Sequence, residues 1–489
     1  MLTRREFVMG AALAGFASGC GRLPPALGPM VVNDLHSQLN ETTVARIVSP
    51  DSLEGLERIV REARAAGTAL SVAGGRHAMG GQQFGAGTVL VDMRRMTRVT
   101  HFDADTGLVE LEAGIQWPEL IAYLDRAQQG RERRWGIVQK QTGADRLSLG
   151  GALAANAHGR GLRFKPLVGD VESFVLVGPD GAARTCSRTQ NVELFRLAIG
   201  GYGLFGVIAS VTLRLAPRRT LERVVQVIEL DDLPAAFDRR IADGYLFGDF
   251  QYATDESSTD FLRRGVFSCY RPVDGRTPPP AQKELAEADW RRLLFLSHVD
   301  KKRAFEVYAA YYLSTSGQLY WSDTHQLSVY IDDYHRWLDR ELGGGARATE
   351  MITEIYVPRP MLARLLDDVR RGLGEARADV IYGTIRLIER DDESFLAWAR
   401  DRWACVIFNL HVVHTPAGIE RASRAFRLLI DLAIAYGGSY FLTYHRWATR
   451  RQVDACYPQF AEFLRLKRTY DPEERFQSEW YRHYRAMFA

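Results

Sequence analysis

The stretch Gly74-Gly75-Arg76-His77-Ala78-Met79-Gly80-Gly81 follows directly on the strand-like Ala69-Leu70-Ser71-Val72-Ala73, and it constrains the fold more than any other part of the chain. Glycine lacks a Cβ, so such a loop takes left-handed turns and brings its backbone close to a ligand. Several N–H donors held together in this way suit a pyrophosphate. The loop fits neither G-x-G-x-x-G opening a helix nor G-x-x-x-x-G-K-[ST], so neither a Rossmann site nor a P-loop is supported. Taken alone, it reads equally well as a tight structural turn.

Its surroundings supply context. Asp51 is placed to cap a helix whose apolar face carries Leu53, Leu56, Ile59, Val60 and Ala63, and Gly67 ends it. Thr88 to Met93, Leu108 to Ala113, Ser173 to Val177 and Val207 to Leu215 read as strands, and Trp117 to Ala127 as a helix. A second glycine-rich region runs from Ser148-Leu149-Gly150-Gly151 to Ala157-His158-Gly159-Arg160-Gly161. This order predicts an α+β fold rather than a parallel βαβ repeat. From about Arg219, aromatic-rich strands alternate with long amphipathic helices. The expected organisation is a signal at 1–22, a first domain at 40–218, an α+β second domain with an antiparallel sheet at 219–435, and a closing segment at 436–489.

Thr3-Arg4-Arg5-Glu6-Phe7 with the short apolar stretch Val8 to Phe16 is a twin-arginine export pattern, which predicts a periplasmic protein. Ala17-Ser18-Gly19-Cys20 resembles a lipobox, which would anchor the chain to a membrane through a lipid on Cys20; plain cleavage nearby is the alternative. The net charge of +3, from 63 basic and 60 acidic residues, gives no reason to expect a nucleic-acid partner. Arg131-Glu132-Arg133-Arg134 reads as a solvated face. Cys186, Cys269, Cys405 and Cys456 show no metal or disulfide spacing, and no metal is expected.

Four stretches, in order, resemble the vanillyl-alcohol-oxidase/p-cresol-methylhydroxylase (PCMH-type) FAD proteins. They are Gly74 to Gln82 with Val89 to Met93, Thr142-Gly143 to Gly161, Gly203 to Ile208, and Lys467-Arg468-Thr469-Tyr470-Asp471-Pro472 with Arg475-Phe476. The resemblance implies FAD held by Ala73, Gly74, Gly75, Arg76, His77, Ala78, Gly81 and Gln82 in the first loop. Thr142, Gly143, Ser148, Gly150, Gly151, His158 and Gly161 would follow in the second, and Gly206, Val207 and Ile208 in the third. It also implies a covalent bond from His77 to the flavin. No cysteine lies in Thr142 to Gly161, so a second tether is not expected.

The second domain is similar to those of sugar and aldonolactone oxidases. Glu350 to Arg359 resembles their strand before a helix, and Arg386 matches an arginine of alditol oxidases, whereas Thr384 departs from their acid. Tyr444 stands about where relatives, including decaprenylphosphoryl-ribose oxidases, carry a lysine. The resemblance implies hydride transfer from a small polar alcohol (sugar, alditol or aldonolactone) to FAD, then onward to oxygen or a quinone. Tyr444 or His445 would accept the hydroxyl proton and Arg386 would stabilise negative charge, with His411 on a neighbouring strand as a further catalytic candidate. His411 and His414 would face opposite sides of that strand, which argues against a metal between them. An oxidase of an amine or a lipid-linked sugar, and an exported flavin-fold binding protein, remain alternatives.

Overall fold

The computed structural model describes residues 28–328, 331 and 333–489. The twin-arginine pattern and Cys20 lie outside them. Among the described residues no helix is long and apolar enough to cross a membrane.

The first part of the chain builds a three-stranded and a five-stranded sheet, besides two short strand pairs. Arg46–Val48, Val89–Asp92 and Leu70–Ala73 pair in parallel, with the helix Leu53–Ala65 crossing between the outer two. That helix is capped by the Ser52 hydroxyl, which accepts from Gly55 N–H, and not by Asp51. Ser52 has the extended backbone a capping residue needs, and its oxygen lies three residues before the donor. The second sheet is antiparallel, in the order Ala183–Ser187, Val171–Val177, Val207–Arg214, Leu108–Glu112, Val99–Asp103. Trp117–Ala127 is a helix as expected, and its buried Trp117, Leu120, Ile121 and Leu124 fall on one face.

The cap is a single eight-stranded sheet. Its order is Leu319–Trp321, Thr220–Glu229, Arg264–Pro272, Phe247–Tyr252, Val380–Ile388, Trp403–Val413, Ala348–Pro358, Ser439–Tyr440. Every pairing in it is antiparallel. Because Ser439–Tyr440 pairs with Ile355 and Tyr356, the boundary drawn at 435 cuts the sheet one strand early. Alternation assigns each strand residue to a face. One face is apolar, with Phe250, Phe267, Ile385, Val406 and Phe408, and the helices Leu362–Ala376 and Pro416–Ala435 lie on that side. The other carries the polar residues described below. The cysteines at 186, 269, 405 and 456 are buried free thiols.

After the cap, the chain returns to the parallel sheet. Leu70 N–H donates to Arg475 O at 2.6 Å, and Gln477 N–H donates to Leu70 O at 2.8 Å. A buried ion pair, Lys467 with Asp471, sets this return. The Asp471 carboxylate also accepts from the backbone N–H of Arg475 and of Phe476, each at 2.9 Å. Removing one partner strands the other charge, which costs about 3–5 kcal/mol. Asp471→Ala is therefore expected to lower the thermal midpoint sharply. Lys467→Met combined with Asp471→Asn should lower it less, since no charge is left unpaired; equal losses would count against this role for the pair.

Candidate active site

Both glycine loops open onto one cleft, which holds ≈ 1400 Å³ of atom-free space, part of it open to solvent. It runs from Gly206, Val207 and Ile208 past the two loops to Ile352, Phe441, Thr443 and Tyr444 at the cap. Every residue expected to hold the cofactor lines it except Ala73, Gly81, His158 and Gly161. Ala73 packs instead into a small core with Phe84 and Leu90. Gly81 sits at φ +76° beside Asn40 and Arg446. His158 and Gly161 turn toward the cap, with Gly161 bridging to Phe247 and His158 meeting Glu354. The fit to a long dinucleotide lies in the glycines that both loops bring to the wall, among them Gly74, Gly75, Gly150 and Gly151, and in the open space at Gly143, where a Cβ would meet no protein atom within 4 Å.

His77 lies on the cleft wall against a second histidine, His36, with Nδ1 2.8 Å from the His36 Nε2. Burial first, then the neighbouring His36, pushes His77 down to about 3. Burial likewise pushes His36 down to about 4. Both rings are therefore neutral at neutral pH. Gln82 ties the loop to the closing segment by donating to Thr443 O at 2.9 Å.

At the cap end stands Glu354, which is fully buried. Its carboxylate accepts from His158 Nε2 at 3.2 Å, from the Tyr356 hydroxyl at 2.8 Å and from the Tyr444 hydroxyl at 3.1 Å. Burial alone would raise its pKa, but the His158 charge and these hydrogen bonds bring it below the ordinary carboxylate range. Tyr444 is pushed well above the ordinary phenol range, by burial and then by the Glu354 charge. Glu354 went unnoticed in the sequence, where it is one acid in a strand; its importance comes from partners some 90 and 196 residues away.

Strand register places the remaining polar groups. Ile352, a cleft residue, lies opposite Asn409, and Asn409 lies opposite Tyr382. Thr384 and Arg386 follow on the same face, with Gln251 opposite Thr384. On this face Gln251 Oε1, Ser268 Oγ, Thr384 Oγ1, Arg386 Nε and Asn409 Oδ1 are buried without a hydrogen-bond partner among the described residues. Such groups are costly unless a ligand satisfies them. The set offers hydroxyl, amide and guanidinium partners, as a polyhydroxylated molecule requires. Arg160, from the second loop, reaches the same sheet, with NH1 3.7 Å from Asp249.

Of the expected catalytic residues, only Tyr444 lines the cleft. Arg386 lies on the polar face, close enough for its charge to act on Glu354. His445 does not reach the cleft: its ring stacks on Phe426 at 4.5 Å, among Trp447 and Tyr440, because adjacent side chains part at this bend. His411 also lies apart, turned toward Glu350 and His298.

Residues 44–187 match the family model described as FAD binding domain. The chain is 27% identical over 442 residues to the L-gulono-1,4-lactone dehydrogenase of Mycobacterium tuberculosis, covering 89% of this chain and 95% of that protein. It is 29% identical over 213 residues to the mitochondrial L-galactono-1,4-lactone dehydrogenase of Arabidopsis thaliana, covering 41% of this chain and 32% of that protein. The match to the L-gulonolactone oxidase of Bos taurus is 28% over 174 residues, covering 35% of this chain and 38% of that protein.

The two loops also pack on each other. A Cβ on Gly74 would fall 1.8 Å from the Ser148 Oγ and meet no atom of any other residue within 4 Å. Gly74→Ala should therefore part the loops and lower the flavin-to-protein absorbance ratio of the purified protein. Adding Ser148→Gly should restore it. A single variant with full flavin content would show that the loops tolerate separation.

Proposed function

Because the chain carries a PCMH-type FAD-binding domain and is an FAD-dependent oxidoreductase, we propose that it oxidises a polyhydroxylated alcohol of the aldonolactone or sugar class, with oxygen or a quinone as the onward acceptor. One observation carries the reading: the Tyr444 hydroxyl, on the wall of the cofactor cleft, donates to the buried carboxylate of Glu354. Bound FAD supplies the hydride acceptor.

The protein's own groups handle the proton. A substrate hydroxyl beside Tyr444 donates to the phenol oxygen, while the phenol passes its proton to Glu354 Oε1. Arg386 would stabilise the negative charge that a bound flavin gains with the hydride. Gln251, Thr384 and Asn409 hold the other hydroxyls of the substrate. The near full-length likeness to a protein named as a lactone dehydrogenase supports the substrate class. An amine fits less well, since a cationic ligand would enter beside the buried guanidiniums of Arg386 and Arg160. His77 is proposed to bond covalently to the flavin; burial keeps its imidazole in the neutral, nucleophilic form.

Anaerobic mixing with L-gulono-1,4-lactone, alditols and amines tests the substrate class. Flavin bleaching is expected with hydroxylated compounds and not with amines, and reoxidation by air or by a quinone identifies the acceptor. Glu354→Gln, Tyr444→Phe and Arg386→Ala should each keep FAD and slow its reduction about ten- to a thousandfold, the usual worth of one proton-transfer or charge-stabilising group. Wild-type rates in all three would overturn the assignment. For the covalent bond, acid-precipitated wild-type protein should stay yellow, whereas His77→Ala should release its flavin to the supernatant; a colourless wild-type pellet would refute it.

A further inference from the structure

Outside the cofactor cleft, two histidines converge on one carboxylate oxygen. Glu350 and His411 are direct partners across the antiparallel strands Ala348–Pro358 and Trp403–Val413, so their side chains meet on one face. His298 comes down onto them from the last turn of the helix Glu287–Val299. His298 Nε2 lies 3.1 Å and His411 Nδ1 3.3 Å from the same oxygen, Glu350 Oε1. The three side chains are only 3%, 16% and 3% exposed for His298, His411 and Glu350.

The hydrogen bonds around the cluster fix what these atoms present. His298 Nδ1 is 2.8 Å from Leu294 O. A carbonyl only accepts, so that nitrogen carries the proton. In the neutral ring, Nε2 then aims a lone pair at a carboxylate oxygen, and the two repel. The other oxygen of Glu350 is occupied, because it accepts from the Tyr334 hydroxyl. The neutral ring of His411 can donate Nδ1–H to this oxygen, but a proton relieves the repulsion at His298 only by making it imidazolium in a nearly closed pocket. With His411 in its other neutral tautomer, one divalent cation satisfies all three lone pairs at once.

From this geometry we propose that His298, Glu350 and His411 form a binding site for a first-row divalent metal ion, zinc being the best match. Two imidazoles with one carboxylate are a common donor set for this class. Ligands about 2.0–2.1 Å from a tetrahedral metal stand roughly 3.3 Å apart, and the two histidine-to-glutamate distances match that edge. All three ligand atoms lie within 4.8 Å of one another. The surroundings also fit: one histidine donates its second N–H to a backbone carbonyl, and the carboxylate takes a hydroxyl on its far oxygen. A bound ion would pin the helix Glu287–Val299 to the polar face of the cap sheet. That helix leads directly into Lys301–Ser314, which packs over the same sheet.

The site is separable from the flavin, since none of its three residues lines the cleft. The test uses the holoenzyme. After dialysis against a chelator and then against excess Zn²⁺, elemental analysis should find about one zinc per chain, with FAD content unchanged. Co²⁺ in place of zinc should give the visible absorption of a tetrahedral nitrogen–oxygen site, lost on adding Zn²⁺. Glu350→Gln, which keeps the shape of the side chain, and His411→Ala should each abolish uptake while retaining FAD. Absence of uptake by the wild type would leave a cluster that binds protons only, and would overturn the proposal. Uptake unchanged in both variants would overturn it equally. Should either variant fail to fold, the cobalt spectrum of the wild type still decides.

Discussion

The carboxylate of Glu354 joins three stretches of chain that are far apart in sequence. A buried charge costs several kcal/mol unless it is paired and hydrogen-bonded. Glu354 meets this cost with donors from the second glycine loop, from its own strand and from the segment after the cap sheet: His158, Tyr356 and Tyr444. Loop and cap therefore cannot move apart without stripping a carboxylate of its partners.

That arrangement also decides how the site handles protons. Its hydrogen bonds make Glu354 a weak base, which at first sight suits it poorly to deprotonating an alcohol. The timing of the reaction removes the difficulty. As hydride departs, the remaining hydroxyl becomes a strong acid, so a weak base is enough if the proton leaves with the hydride. The high pKa of Tyr444 keeps its own proton in place until then. In the proposed reaction the phenol is the conduit for the proton and the carboxylate its reservoir.

What was legible in the sequence divides along physical lines. The glycine loops could be read because their demand is local: close backbone approach rules out side chains wherever the rest of the chain goes. Helix and strand positions follow from periodicity, which fixes a helix end less finely: the cap is Ser52, one residue from Asp51. Tyr444 and His445 are adjacent in sequence but not in the site, since Tyr444 faces the cleft and His445 a stack of aromatic rings. Glu354 and the group of His298, Glu350 and His411 were hidden for the opposite reason. His411 stands out in the sequence only as a catalytic candidate, and it takes the register of an eight-stranded sheet, with a helix laid across it, to bring these residues to their partners.

Two departures from the resembling families, Thr384 for the acid of alditol oxidases and Tyr444 for the lysine of other relatives, fall around one carboxylate. Glu354, Ile407 and Thr384 stand in one row across three adjacent strands, so the site still has a carboxylate two strands from the missing one. The guanidinium of Arg386 remains to balance it. A neutral phenol can replace an ammonium here because its task is to carry a proton to Glu354, and a hydroxyl both donates and accepts where an ammonium only donates.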